Sequence, residues 1–213
     1  MKTVTAIERQ KRRKERVNLF LDGDFALSLT ASVAAEVGLH QGQQLSPKEI
    51  EKLQHTDLFQ CSLSSALRYL SQRPRSEAEV RTRLRRHGYD ADTIQEVLDR
   101  LKALKLIDDV AFARLWRENR ESFRPRSRRL IYLELKRKGV DADTVTEATE
   151  GLDDESSAYS AAGKKALSLA RLDYPTFRKR LGAFLKQRGF SYELINHTVE
   201  RLWQEQGKQQ ATL

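Results

Sequence analysis

Leu84-Arg85-Arg86-His87-Gly88-Tyr89-Asp90 returns as Leu135-Lys136-Arg137-Lys138-Gly139-Val140-Asp141, and more loosely as Leu185-Lys186-Gln187-Arg188-Gly189-Phe190-Ser191. Each glycine has apolar residues eight and four positions before it: Val80 and Leu84, Ile131 and Leu135, Leu181 and Leu185. That spacing puts both on one face of a helix. The glycine stands where a left-handed C-cap is needed, and the apolar residue after it (Tyr89, Val140 or Phe190) is the contact that closes such a cap. One residue further on, Asp90, Asp141 and Ser191 are good N-caps, with Asp92, Asp143 and Glu193 supplying negative charge to the first turn of another helix. This next helix carries Ile94, Leu98 and Leu101 in the first copy, Val145 and Leu152 in the second, and Ile195, Val199 and Leu202 in the third.

Upstream of each motif lies one more amphipathic segment: Leu63 to Leu70, Val110 to Phe123, and Ala158 to Leu172. The unit is therefore three helices, broken between the first and second at Pro74, Pro125 and Pro175. Ser76 and Glu79 add a capping-box pattern in the first copy. A period of about fifty residues fits a repeat array whose units bury apolar surface against their neighbours. The fold expected is mainly α: three tandem three-helix repeats at 61–107, 108–154 and 155–207, with a small N-terminal hairpin and helix segment over 17–60 and a polar tail over 208–213.

Residues 1–16 are polar and basic, with Arg9, Lys11, Arg12, Arg13, Lys14 and Arg16 clustered. They read as a flexible arm, either simply solvated or making an auxiliary contact to nucleic acid or a partner. Val17 to Leu21 and Phe25 to Leu29 flank Asp22-Gly23, a hairpin signal. Strands this short need a helix to pack on. Ser46, Pro47 and Glu49 announce one.

With 39% hydrophobic and 32% charged residues, the chain suits small helical modules better than one large core. No apolar run approaches the ~20 residues a bilayer span requires, and no signal-peptide region opens the chain, so a cytoplasmic protein without a membrane partner is expected. Cys61, the only cysteine, reads as a small buried hydrophobe. His40, His55, His87 and His197 are scattered without metal-ligand spacing, and there is neither a phosphate-binding glycine loop nor a nucleophile elbow. No metal, no cofactor and no catalytic residue is expected.

The net charge of +9 and isoelectric point near 9.7 point to a polyanionic partner. Cations gather in the second helix of each repeat: Arg81, Arg83, Arg85 and Arg86; Arg126, Arg128, Arg129, Lys136, Arg137 and Lys138; Arg178, Lys179, Arg180, Lys186 and Arg188, with Arg124 just ahead of the middle one as a further candidate. Acids gather elsewhere, with Asp141, Asp143, Glu147, Glu150, Asp153, Asp154 and Glu155 in one stretch free of Lys and Arg. Cations near a helix C-terminus complement its dipole, worth about 0.3–1 kcal/mol each. Arg126, Arg128 and Arg129 stand at a helix start, where they oppose the dipole, and so favour an outside ligand. Phe112, Trp116, Tyr132 and Trp203 fall at helical spacing and read as core packing ahead of base stacking.

The run Leu101 to Arg120, with Leu106-Ile107-Asp108-Asp109, Phe112-Ala113 and Trp116, followed by Leu135-Lys136-Arg137-Lys138-Gly139, resembles the RecX family of bacterial recombination regulators. The likeness covers essentially the whole chain. It implies a curved, elongated, non-enzymatic protein that lies in the groove of the RecA recombinase filament. There it suppresses ATP hydrolysis, strand exchange and the co-protease activity that triggers the SOS response, linking it to homologous recombination and DNA repair. Where a Gly-Pro pair often opens the second helix of the family's middle repeat, this chain has Ser127-Arg128. The matching positions are structural (Gly88, Gly139, Gly189, Leu84, Leu135, Leu185) and basic (Arg124, Arg126, Arg129, Lys136, Arg137). A monomer is expected, with single- and double-stranded DNA as weaker, electrostatic partners. The rival reading is a direct DNA-binding protein, because three-helix units with a basic helix also resemble helix-turn-helix modules. Against it, no single helix stands out as one that reads bases.

Overall fold

The computed structural model of the chain describes residues 1–210. It divides into two units, one of Met1–Arg75 with Val80–Ile107, the other of Ser76–Glu79 with everything from Asp108 onward.

The first unit opens on a four-stranded antiparallel sheet in the order β3-β2-β1-β4: β1 Lys2–Arg9, β2 Arg16–Leu21, β3 Asp24–Thr30 and β4 Gln44–Leu45. The expected hairpin is β2–β3, and both turn residues have positive φ (Asp22 54°, Gly23 94°), as a primed turn requires. The expected arm over 1–16 is overturned. Residues 2–9 form an interior strand, because Val4 and Ile7 join Val17, Leu19, Leu21, Leu27 and Leu29 in a core closed by Val33 and Ala34 of α1 (Ala31–Glu36) and by Leu53. Val4 and Ile7 are three positions apart and face one core only because the pairing shifts register between Val4 and Ala6, which breaks the period-2 pattern a strand otherwise shows.

Arg16 is likewise no part of an arm. Its guanidinium pairs with Asp57 at 2.9 Å and donates to Ser28 O at 2.6 Å, while Asp57 Oδ1 accepts the Thr30 N–H at 2.6 Å. Burial alone would lower the Arg16 pKa. The hydrogen bond and charge of Asp57 outweigh it and raise the value. Cys61, expected to be a buried hydrophobe, sits half-buried in this polar group, its Sγ 3.3 Å from Arg16 Nη1.

Helix α2 (Pro47–Leu70) starts at the anticipated capping box, where Ser46 Oγ accepts from Glu49 N–H and Glu49 accepts from Ser46 N–H. It contains neither glycine nor an internal proline, so it runs unbroken through residue 60, where a module boundary was expected. Leu53 serves the sheet core, and Ala66 serves the next one, with α3 (Glu77–Arg86) and α4 (Ala91–Ala103).

The other two repeats are α5 (Asp109–Phe123), α6 (Arg128–Arg137) and α7 (Ala142–Thr149), then α8 (Asp154–Leu167), α9 (Tyr174–Lys186) and α10 (Tyr192–Gln210). α10 extends into the segment expected as a polar tail, and 211–213 lie outside the described residues. Gly88, Gly139 and Gly189 have φ of 85°, 78° and 86°. Val80, Leu84, Ile131, Leu135, Leu181 and Leu185 are all buried. A leucine fully buried in this way stabilises by about 1.5–3 kcal/mol. Leu152 falls outside α7, which ends two residues before Gly151 (φ 70°), yet it still packs on the repeat core.

Inside the second unit one joint occurs twice. Ser76 Oγ donates to Lys138 O at 2.5 Å and Glu77 N–H donates to Asp109 Oδ1 at 2.9 Å; at the equivalent place Ser127 N–H donates to Arg188 O at 3.0 Å and Arg128 N–H donates to Asp154 Oδ1 at 2.6 Å. In both, the opening of a second helix seats against the C-cap glycine one period later. Gly139 lies over Ala78, and Gly189 over Ser127 and Leu130.

Candidate nucleic-acid interface

The cations named from the sequence separate into two kinds. Some are held by the fold. Arg126 pairs with Glu134, whose Oε2 also accepts from Trp116 Nε1 at 2.8 Å and Arg120 Nε at 2.7 Å. Burial, then the charges of Arg120, Arg188 and Arg124, lowers the Arg126 pKa. The inference that Arg126 opposes the helix dipole in order to meet an outside ligand is therefore corrected: a nearly buried carboxylate on α6 is its counter-charge. Lys138 reaches Glu79 Oε1 at 2.7 Å and lies 5.2 Å from the Trp116 ring centre. Arg81 donates to Gln95 Oε1 at 2.9 Å, and Arg178 weakly to Asn196 Oδ1 at 3.4 Å.

The others are exposed and have no acidic side chain within ion-pair distance among the described residues: Arg85 and Arg86 closing α3; Arg128 and Arg129 opening α6; Lys136 and Arg137 closing it; Lys179 and Lys186 on α9. The repeat register thus produces equivalent backbone positions with unequal duties. His87, Lys138 and Arg188 share a register position, yet His87 is exposed, Lys138 is in an ion pair, and Arg188 lies over the Phe184 ring at 3.6 Å.

Arg124 and Arg188, 64 positions apart in the sequence, line one cleft together with Lys164 and Lys165 of α8. The two lysines belong to a first helix, so a repeat pattern that points to second helices passes over them. The adjacent Lys164-Lys165 pair was the only available signal, and nothing in the sequence joined it to Arg124. Phe112 is buried, while Trp116, Tyr132 and Trp203 are partly buried against the repeat cores, as their spacing predicted. Of the acidic stretch, Asp141 and Asp153 cap α7 and α8, and Glu147 faces Arg114 at 3.5 Å. Among the described residues no helix is long and apolar enough to cross a membrane.

Comparison with known proteins follows the same modules. Residues 2–46 match the regulatory protein RecX N-terminal domain, and 63–101, 108–148 and 153–199 match the first, second and third RecX three-helix domains. Curated relatives include the regulatory protein RecX of Clostridium botulinum (strain Eklund 17B), 30% identical over 94% of this chain and 96% of that protein. The regulatory protein RecX of Lactobacillus johnsonii is 32% identical over 95% of this chain and 75% of its own length. A crystal structure of regulatory protein RecX superposes with a TM-score of 0.65 at 26% identity, covering 94% of this chain and all of that one. A second, of RecX from Lactobacillus salivarius, gives 0.57 at 26% identity over 69% of this chain and 97% of that one.

Proposed function

The chain belongs to the RecX family, and on that premise we propose that it regulates the RecA recombinase without catalysis of its own, lying along the groove of the RecA–DNA filament. The observation that carries this reading is the set of exposed cations, without acidic partners among the described residues, that recur at the close of second helices: Arg85 and Arg86, Lys136 and Arg137, and Lys186. Dipole complementation offers each only about 0.3–1 kcal/mol at the surface. The fold does not need them, and an anionic partner does. Contacts that are individually weak sum to a useful affinity when several are made at once on one filament. Restraint of the filament's conformational cycle or of its growth then suppresses ATP hydrolysis, strand exchange and SOS co-protease activity. The protein acts as a monomer in the cytoplasm, with bare single- and double-stranded DNA as weaker ligands.

The test is RecA ATP hydrolysis on single-stranded DNA, titrated with this protein. Suppression well below one molecule per recombinase protomer is expected, and Arg129→Glu with Lys136→Glu and Arg137→Glu should raise the concentration needed at least tenfold. No suppression at equimolar protein, with tight and sequence-dependent binding to bare duplex, would replace this reading by direct DNA binding.

A further inference from the structure

Where α5 ends, the chain turns through Arg124 and Pro125 beside the last turns of α8 and α9, leaving an open cleft of about 400 Å³. That volume is within the ~300–1,000 Å³ range of small-ligand sites. Four cations line it, Arg124, Lys164, Lys165 and Arg188, and no carboxylate does. None of the four has an acidic partner among the described residues. Arg126, two residues beyond Arg124, does have one in Glu134.

A bland account has each cation answering the negative end of its own helix. Three helix C-termini supply about half an elementary charge each, less than half of what four cations carry. A net positive charge remains. Burial, and next the charge of Arg124, lowers the Arg188 pKa, as expected when like charges share a site without a counter-ion. The cleft also presents flat apolar surface. Phe123 is 77% exposed at its rim, and Phe184 carries the Arg188 guanidinium on its ring face. Nothing in the packing requires a phenylalanine at 123. An aromatic face beside a guanidinium fork and two ammonium groups matches a base next to its phosphate.

The geometry points to this cleft as a binding site for one phosphate and its neighbouring unpaired base in single-stranded nucleic acid, with Arg124, Lys165 and Arg188 around the phosphate and Phe123 under the base. The inference rests on the nucleic-acid part of the proposed function. It does not require the recombinase, and its test omits it.

The full chain is titrated into fluorescein-labelled oligothymidylate, read by anisotropy at several salt concentrations. Arg124→Gln with Lys165→Gln should weaken binding about tenfold and flatten the salt dependence by roughly 0.7 in log–log slope for each phosphate no longer neutralised. Phe123→Ala should weaken single-strand binding roughly fivefold or more and leave a fully paired duplex unaffected. Lys164→Glu, on an exposed position of α8, is a second variant whose fold is not at stake, and it should weaken binding as well. Thymidine monophosphate should displace the oligonucleotide better than inorganic phosphate. Cleft variants that keep the native far-UV spectrum and bind like the parent would overturn the site, as would equal competition by phosphate and nucleotide. If the parent itself binds no oligonucleotide at low salt, the nucleic-acid part of the proposed function falls with the cleft, whereas loss of binding only in the Arg129, Lys136 and Arg137 variant removes the cleft alone.

Discussion

Replacing the repeat glycines by alanine separates backbone strain from crowding. Gly88, Gly151 and Gly189 have φ of 85°, 70° and 86°, so an added Cβ meets a similar conformational penalty at each, about 1–2 kcal/mol. The surroundings differ. At Gly88 and Gly151 a Cβ would meet nothing within 4 Å, whereas at Gly189 it would lie 2.6 Å from Ser127 Oγ and 2.8 Å from Leu130 Cβ. Those are roughly 0.6–0.8 Å inside ordinary contact. Neither neighbour can give way easily. Ser127 is buried, caps α6 by accepting the Leu130 N–H at 3.2 Å, and donates its own N–H to Arg188 O. Overpacking of this kind costs about 1–3 kcal/mol beyond the strain. Gly151 and Gly189 both lie in the second unit, which also holds Trp116 and Trp203, the chain's two tryptophans. Urea unfolding followed by tryptophan fluorescence therefore compares them in one transition. Gly189→Ala should lower the midpoint by on the order of 1 M more than Gly151→Ala, given slopes of about 1–3 kcal/mol per molar urea. Gly88→Ala, followed by far-UV circular dichroism, should show the strain cost alone. Equal midpoints for the Gly151 and Gly189 variants would refute the claim that the joint at Ser127 holds the third repeat's motif in place.

Glu134→Ala leaves Trp116 Nε1, Arg120 and Arg126 without their shared acceptor, and should destabilise the second unit by about 3 kcal/mol, seen as an earlier fluorescence transition; a loss under about 1 kcal/mol would mean the cluster rearranges freely. Asp57→Ala, which strands Arg16 and the Thr30 N–H, should cost the first unit a similar amount of about 3 kcal/mol, with Asp57→Asn losing less because it can still accept from Thr30. Hydrogen bonds from Thr93, Thr144 and Thr176 hold the cap carboxylates of Asp90, Asp141 and Asp173 below the usual range. A depressed folded-state pKa contributes stability fully above the unfolded value near 4 and loses it as pH falls through the lower folded value. Thermal midpoints should fall as the pH drops below about 4, and the Asp90→Asn, Asp141→Asn, Asp173→Asn variant should fall less steeply.

Within the candidate site, sequence position carried the exposed cations well. Arg128, Arg129, Lys136 and Arg137 lie on the surface of α6 as a basic amphipathic helix demands, since the opposite face carries Ile131 and Leu135 into the core. It misread Arg126, because the acid that claims it lies eight residues away, at a distance no helical rule pairs with a residue outside the helix. It misread the basic stretch at 1–16 because charge density suggests solvation, while the register shift between Val4 and Ala6 leaves Val4 and Ile7 without the period-2 spacing that marks a strand. It could not see the cleft, whose lining spans residues 122 to 188.

By itself the sequence determined the modules: the recurring apolar pairs, cap glycines and N-cap acids are local signals, each decided within a turn or two of helix. The family likeness was legible for the same reason, since its motif is the module's own. Only the tertiary structure decided which equivalent positions stay equivalent. Gly88 and Gly189 have the same backbone conformation, but one Cβ would point into open space and the other into Ser127. Likewise His87, Lys138 and Arg188 share a register, and their surroundings leave one exposed, one in an ion pair and one over a ring at a cleft. Conformation is set by neighbours in the chain. Duty is set by neighbours in space: the Glu79 that pairs Lys138 is 59 residues away, and the Ser127 beneath Gly189 belongs to the preceding repeat.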